Sequence, residues 1–232
     1  MQYLGGKSRI AKEISNIINH YSNDKTFVSL FCGACSIESM VIAEHKILND
    51  SHPYLIALLE AVQNGYEMPE QITKEQYYDV KTNPDRDMAL TGFVGFGCSF
   101  GAKWWGGYAA NNAGTNYAKQ AKNSLLRKME NLKDAEILCD DYRNIKIPND
   151  SVVYCDPPYA GTTGYSNTGD FSHEDFWNYM REISKNNIVF ISEIHAPDDF
   201  KVHWEKSIKR VLDKNKDNNF DSIEKLFMLK TW

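Results

Sequence analysis

Apolar residues at Ile10, Ile14, Ile17 and Ile18 recur at the spacing of one helix face, which predicts a helix over residues 8–20 with Ser8 placed to cap it. Residues 26–31 form an apolar run that breaks at Gly33, the pattern of a buried strand. A helix is expected over residues 36–44, then a short strand over 46–49 ending at Asp50, then a helix from about Pro53, where proline suits a first turn. The rhythm lapses between residues 65 and 133, which read as helices and loops around a glycine-rich run at 92–107. It resumes with strands at 135–139 and 151–155, a helix at 173–184 and a strand at 188–192. Two further strands are expected at 207–212 and 225–229, joined by a polar turn. Alternating strands and helices predict an α/β fold, a doubly wound, mostly parallel sheet. Residues 1–64 and 134–232 would build it, and residues 65–133 would be an inserted segment.

Composition narrows the class of protein. The 232 residues are 42% hydrophobic and 12% aromatic, enough for a sizeable core and unlike a disordered chain. No apolar run approaches the ~20 residues that span a bilayer, and the N-terminal residues do not read as a signal peptide. A cytoplasmic protein without membrane partners is therefore expected. The five cysteines include one C-x-x-C, Cys32 and Cys35, with no second pair at zinc spacing, and the six histidines fall in no ligand pattern. Reduced thiols and no bound metal are the expectation. A net charge of −5 does not favour nucleic acid, yet the charge is unevenly spread. Across residues 101–133 Lys103, Lys119, Lys122, Arg127, Lys128 and Lys133 stand against Glu130 alone, among Trp104, Trp105, Tyr108 and Tyr117. Cations interleaved with aromatics can hold phosphates and meet bases; a solvated helix face, with the tryptophans in the core, is the competing account.

Three short motifs sit at strand ends, where open α/β sheets bind ligands. Asp156-Pro157-Pro158-Tyr159 directly follows the strand at 151–155. Two prolines fix the backbone, so the Asp156 carboxylate and the Pro157 carbonyl offer two acceptors at a set spacing, and the Tyr159 ring can stack on a planar base. That set suits an exocyclic amino group; an Asp-capped Pro-Pro turn is the plain alternative. Phe31-Cys32-Gly33-Ala34-Cys35 ends the first strand, with glycine allowing close backbone approach and the following helix N-terminus expected to add a favourable dipole. Asp50 ends the next strand, where such folds place a carboxylate for ribose hydroxyls, or where it simply caps the helix at Pro53. Gly5-Gly6-Lys7-Ser8 lacks the strand and first glycine of a nucleotide-hydrolysing phosphate loop.

Together these residues resemble the Dam-type DNA adenine-N6 methyltransferases, particularly their short phage forms. Tyr3-Leu4-Gly5-Gly6-Lys7 is similar to the family's aromatic-x-G-G-K, residues 31–35 to its F-x-G-x-G cofactor loop, and residues 156–159 match its D-P-P-Y. The resemblance implies that S-adenosylmethionine is held by Tyr3, Lys7, Phe31, Gly33, Asp50, Asp141, Tyr142 and Asp156. Asp50 would be the ribose acid, and Asp141-Tyr142 the pair beside the cofactor's adenine. Catalysis would fall to residues 156–159 on a base flipped from double-stranded DNA, with Lys7 serving cofactor and DNA together; target recognition is expected in the insertion, where the basic stretch offers Lys103, Trp104, Lys122 and Arg127. Three departures stand out: Tyr3 where Trp is frequent, Cys35 in place of the second loop glycine, and Ser192-Glu193 in place of a Ser-Asn pair. Cytosine-N4 or RNA-adenine methylation shares the same amino-group chemistry, and a catalytically inactive nucleic-acid-binding relative is a third reading. No nuclease motif is visible, and no feature sets an oligomeric state.

Overall fold

The computed structural model describes residue 1 and residues 6–159, 171–210 and 220–230. Strands β1 (Thr26–Ser29), β2 (His45–Asn49), β3 (Glu136–Leu138), β4 (Val152–Cys155), β5 (Ile188–Glu193), β6 (Phe200–Arg210) and β7 (Phe220–Leu229) form one sheet. Their order is β3-β2-β1-β4-β5-β7-β6. The first five pair in parallel, whereas β7 runs antiparallel to both β5 and β6. Strand order therefore reverses between β1 and β4, the position at which doubly wound sheets open a binding crevice.

Period-two alternation distributes the strand side chains between two cores. On β4, Val152 and Tyr154 join a cluster with Phe27, Leu48 and Phe190, while Val153 and Cys155 join one with Val28, Phe176 and Ile191. Helix α1 (Ala11–Ser22) and helix α2 (Pro53–Gln63) pack into the first core; α6 (His173–Ile183) packs into the second through Phe176, Trp177 and Met180. Helix α1 starts three residues later than expected, because residues 8–10 form a turn and Ser8 provides no cap.

The largest departure from the periodicity lies between β1 and β2. Instead of a helix over residues 36–44 there is one 3₁₀ turn, Glu38–Met40, followed by extended chain. Polar side chains of α1 supply the hydrogen bonds that a helix would have made internally. Asn19 accepts from the Ile42 amide at 2.8 Å and donates to the Met40 carbonyl at 3.1 Å, and the Ser22 hydroxyl donates to the Ile42 carbonyl at 2.7 Å. The helix dipole expected behind Gly33 is consequently absent.

Residues 65–133 hold α3 (Lys74–Thr82), α4 (Met88–Gly92) running into a π-helical turn (Phe93–Gly97), and α5 (Tyr117–Met129). Thr73 and Gln76 form a reciprocal capping box on α3, and Asn116 caps α5. The segment shares the first core: Phe93, Val94, Phe96, Leu125 and Met129 cluster with Phe27 and Leu48. A side chain at Gly92 would lie 2.0 Å from the Tyr54 carbonyl oxygen, so glycine there permits the close contact of α4 with α2. None of the described helices is long and apolar enough to cross a membrane.

Candidate active site

Parallel pairing brings the C-terminal ends of β1, β2, β3 and β4 to one edge of the sheet. Asn49 ties three of those ends together. Its amide donates to the Leu30 and Asp140 carbonyls at 3.1 and 3.0 Å, and its oxygen accepts from the Asp140 N–H at 3.0 Å. Sequence reading passed over Asn49, although a polar residue closing an apolar strand was the available signal.

At the end of β2, Asp50 accepts from Gly33 N–H and His52 N–H, each at 3.0 Å, one on each carboxylate oxygen. Burial pushes its pKa up, and the two backbone bonds oppose that shift. Asp50 thus fastens the loop after β1 to the loop after β2 while remaining half-buried. Gly33 takes φ +48° and Cys35 takes φ +54°, so the cysteine adopts a glycine-like conformation with its side chain turned into the core. Beneath this loop Glu38 is 2% exposed, accepting from the Ser29 hydroxyl at 2.8 Å and the Ile37 amide at 3.1 Å.

Phe31 is half-buried and lies 5.2 Å from the Tyr142 ring, which is itself buried against Phe176 and Tyr179. Asp141 is engaged by Arg143, which donates Nε to one oxygen at 2.8 Å and Nη2 to the other at 2.7 Å. That guanidinium holds the Asp141 carboxyl below the ordinary range. Tyr3 lies outside the described residues.

The residues after β4 join a partly buried charged cluster. Lys7 Nζ lies 3.0 Å from Asp156 Oδ1, 3.4 Å from Glu224 Oε2 on β7, and 4.3 Å from the centroid of the Tyr159 ring. The Tyr159 hydroxyl donates to Glu224 Oε2 at 2.8 Å. Burial pushes the Asp156 carboxyl up against the opposing pull of Lys7, and burial beside Asp156 and Glu224 raises the Tyr159 phenol far above its usual value. Two carboxylates thus share one ammonium. Lys7 and residues 156–159, chosen separately from sequence, meet here; Glu224 was missed, because only the β5–β7 pairing carries it to this edge.

The basic stretch separates into different environments. Trp104 sits over Gly95, where an added Cβ would lie 2.2 Å from its ring, and packs against His52, Phe96 and Tyr54 at 4.4, 4.6 and 5.6 Å between centroids. It is a packing residue, which favours the core account over base contact. Lys122 is paired with Glu70 at 2.7 Å, and Lys119 shares the same carboxylate at 3.6 Å. Lys128 points inward, donating to the Ala34 carbonyl at 2.6 Å. Lys103 and Arg127 stay exposed without an ion pair among the described residues. Arg127 borders an open cleft of about 800 Å³ that is also lined by Tyr117, Gln120, Asn123 and Ser124, and the Phe100 ring nearby is 71% exposed.

All five cysteines are free thiols. The chain is 23% identical over 215 residues to the type II methyltransferase M.FokI of Planomicrobium okeanokoites, which covers 82% of this chain and 33% of that one. To the modification methylase StsI of Streptococcus sanguinis it is 24% identical over 215 residues, covering 82% of this chain and 32% of that. This chain therefore spans about a third of the length of these two relatives. With a DNA adenine methylase of Vibrio cholerae it shares 26% identity over 200 residues, covering 76% of this chain and 70% of the other. The model of the D12 class N6 adenine-specific DNA methyltransferases matches residues 3–225, a span that takes in Lys7, Asp50, Asp156 and Glu224, and the chain belongs to that family.

Proposed function

We propose that this chain transfers a methyl group from S-adenosyl-L-methionine to the N6 amino group of adenine in double-stranded DNA, with the target base flipped out of the helix. The observation that carries the reading is the cluster after β4, in which Asp156 is held by Lys7 and Tyr159 by Glu224. The edge also suits the donor. The carboxylates of Asp156 and Glu224 suit a cationic sulfonium, and the half-buried Asp50 keeps lone pairs for hydroxyls beyond its two backbone bonds. S-adenosylmethionine, when bound, supplies a methyl group on positively charged sulfur.

The residues of the chain do the rest. Lys7 takes Asp156 Oδ1, and we assign Oδ2 and the Pro157 carbonyl as acceptors for the two amino N–H groups. Those bonds draw the nitrogen lone pair out of the ring and towards the donor. Once the nitrogen has gained the methyl group it must lose a proton, and a carboxylate whose pKa is raised by burial is suited to take it. Tyr159, kept neutral and fixed by Glu224, offers its ring to the base. We assign Phe31, Gly33, Asp50, Asp141, Tyr142, Asp156 and Lys7 to the cofactor side, and Tyr3, outside the described residues, joins them only by the N-terminal motif. Residues 1–64 and 134–232 would form the catalytic part and 65–133 the recognition part, in which Lys103, Arg127 and Phe100 are the exposed groups for DNA.

The deciding experiment incubates the protein with labelled S-adenosylmethionine and defined DNA or RNA, then identifies the methylated nucleoside by mass spectrometry. N6-methyladenine from DNA is expected, and Asp156→Ala should lower turnover by about 10²–10³ with the fold intact. N4-methylcytosine, product from RNA alone, or turnover within about threefold of wild type in the variant would overturn the assignment.

A further inference from the structure

One cation of the basic stretch is turned inward. Lys128, on α5, spends its three donors inward: on the Ala34 carbonyl at 2.6 Å, the Ser36 hydroxyl at 2.9 Å and the Met1 carbonyl at 3.5 Å. Two of these acceptors flank Cys35, whose φ of +54° is a conformation that residues with a Cβ rarely adopt. The Cys35 amide closes a turn onto the Cys32 carbonyl at 2.9 Å, and Gly33, also left-handed, keeps its N–H on Asp50. No α-helix follows the loop to fix its exit, since only the 3₁₀ turn Glu38–Met40 stands there. The clamp therefore comes from the segment between α2 and β3, nearly a hundred positions away in the chain.

We propose that Lys128 is a positioning residue for the cofactor loop: reaching across from α5, it holds residues 34–36 so that Cys35 keeps a glycine-like backbone and Gly33 stays on Asp50. The proposal rests on the reading that this loop receives S-adenosylmethionine. It makes α5 a part of the cofactor site and not solely a surface for DNA. It also explains how a cysteine is accommodated at a turn that would suit glycine.

The test uses the full chain and two readouts. Lys128→Met keeps the aliphatic stem and removes all three donors. In the protein without cofactor, hydrogen exchange at residues 33–36 should quicken about tenfold while β1 and β4 keep their protection. By titration calorimetry S-adenosylmethionine should bind about tenfold more weakly to Lys128→Met. Adding Cys35→Gly should recover most of that loss relative to Cys35→Gly alone, because glycine holds φ +54° without help. Unchanged exchange at residues 33–36 in a folded Lys128→Met, or additive effects of the two substitutions, would overturn the clamp. Should Lys128→Met fail to fold, Ser36→Ala removes one acceptor and must still quicken exchange there. A wild-type chain that binds no S-adenosylmethionine would instead refute the reading of the site, and the exchange measurement would then decide the clamp by itself.

Discussion

Glu38 gives the sharpest quantitative handle on the floor of the site. It is 2% exposed, bonded to the Ser29 hydroxyl and the Ile37 amide, and burial pushes its carboxyl from an ordinary 4.5 up to about 7. Because the folded state binds this proton more tightly than the unfolded chain, the contribution is complete below pH 4.5 and is lost as pH rises through about 7. A rise from 4.5 to about 7 corresponds to roughly 3 kcal/mol between the ends of that window. Glu38→Gln imitates the protonated acid: its oxygen can accept from Ile37 and its amide can donate to Ser29. The variant should match wild type near pH 4.5 and exceed it by up to about 3 kcal/mol at pH 8. Urea unfolding of both proteins in half-unit steps from pH 5 to 8.5 gives the difference directly, and subtraction cancels the other titrating groups. A difference that stays flat with pH, or a glutamine variant less stable at pH 8, would show that Glu38 is ionised in the folded protein across the range.

The remaining expectations concern ligand binding and packing. Asp50→Asn keeps an acceptor for one backbone amide but loses the charge, and should weaken S-adenosylmethionine about tenfold by calorimetry; unchanged affinity would place the ribose elsewhere. Lys103→Ala with Arg127→Ala should weaken binding to every DNA sequence and flatten the logarithmic salt slope by up to about two, whereas Lys122→Ala, already paired with Glu70, should move it less. Trp104→Ala should cost about 3 kcal/mol of stability in denaturant titration, through lost contact with His52, Phe96 and Gly95; full stability with lost DNA affinity would return the ring to the interface.

What could be read from sequence was local. Buried strands betray themselves by apolar runs, so β1, β2, β4 and β5 lay close to where periodicity put them. The D-P-P-Y tetrapeptide carries its geometry in two fixed φ angles and needs no distant partner to be noticed. The helix expected over residues 36–44 failed for a non-local reason: Asn19 and Ser22 of α1 satisfy the backbone at 40 and 42, so the chain there has no need to coil. Glu224 was invisible for a similar reason, since a lone carboxylate on a hairpin strand gains meaning only once β7 inserts beside β5.

Charge shows the same dependence on partners. Six cations over residues 101–133 suggested one continuous surface for phosphates, but a count cannot say which acceptor each ammonium has found. Glu70 lies outside that stretch, just before α3, yet binds both Lys119 and Lys122, and Glu130 holds Lys133. Lys128 is turned to the loop after β1. Of these six, Lys103 and Arg127 are the exposed cations without an ion pair among the described residues, and they are the two that the proposed function offers to a polyanion. The inward lysines answer to the opposite need. Lys7 and Lys128 each bind groups at the C-terminal edge of the sheet, Lys7 the Asp156 carboxylate and Lys128 the loop after β1. The basic stretch thus divides among exposed, ion-paired and inward-turned cations, and only the position of each nitrogen tells them apart.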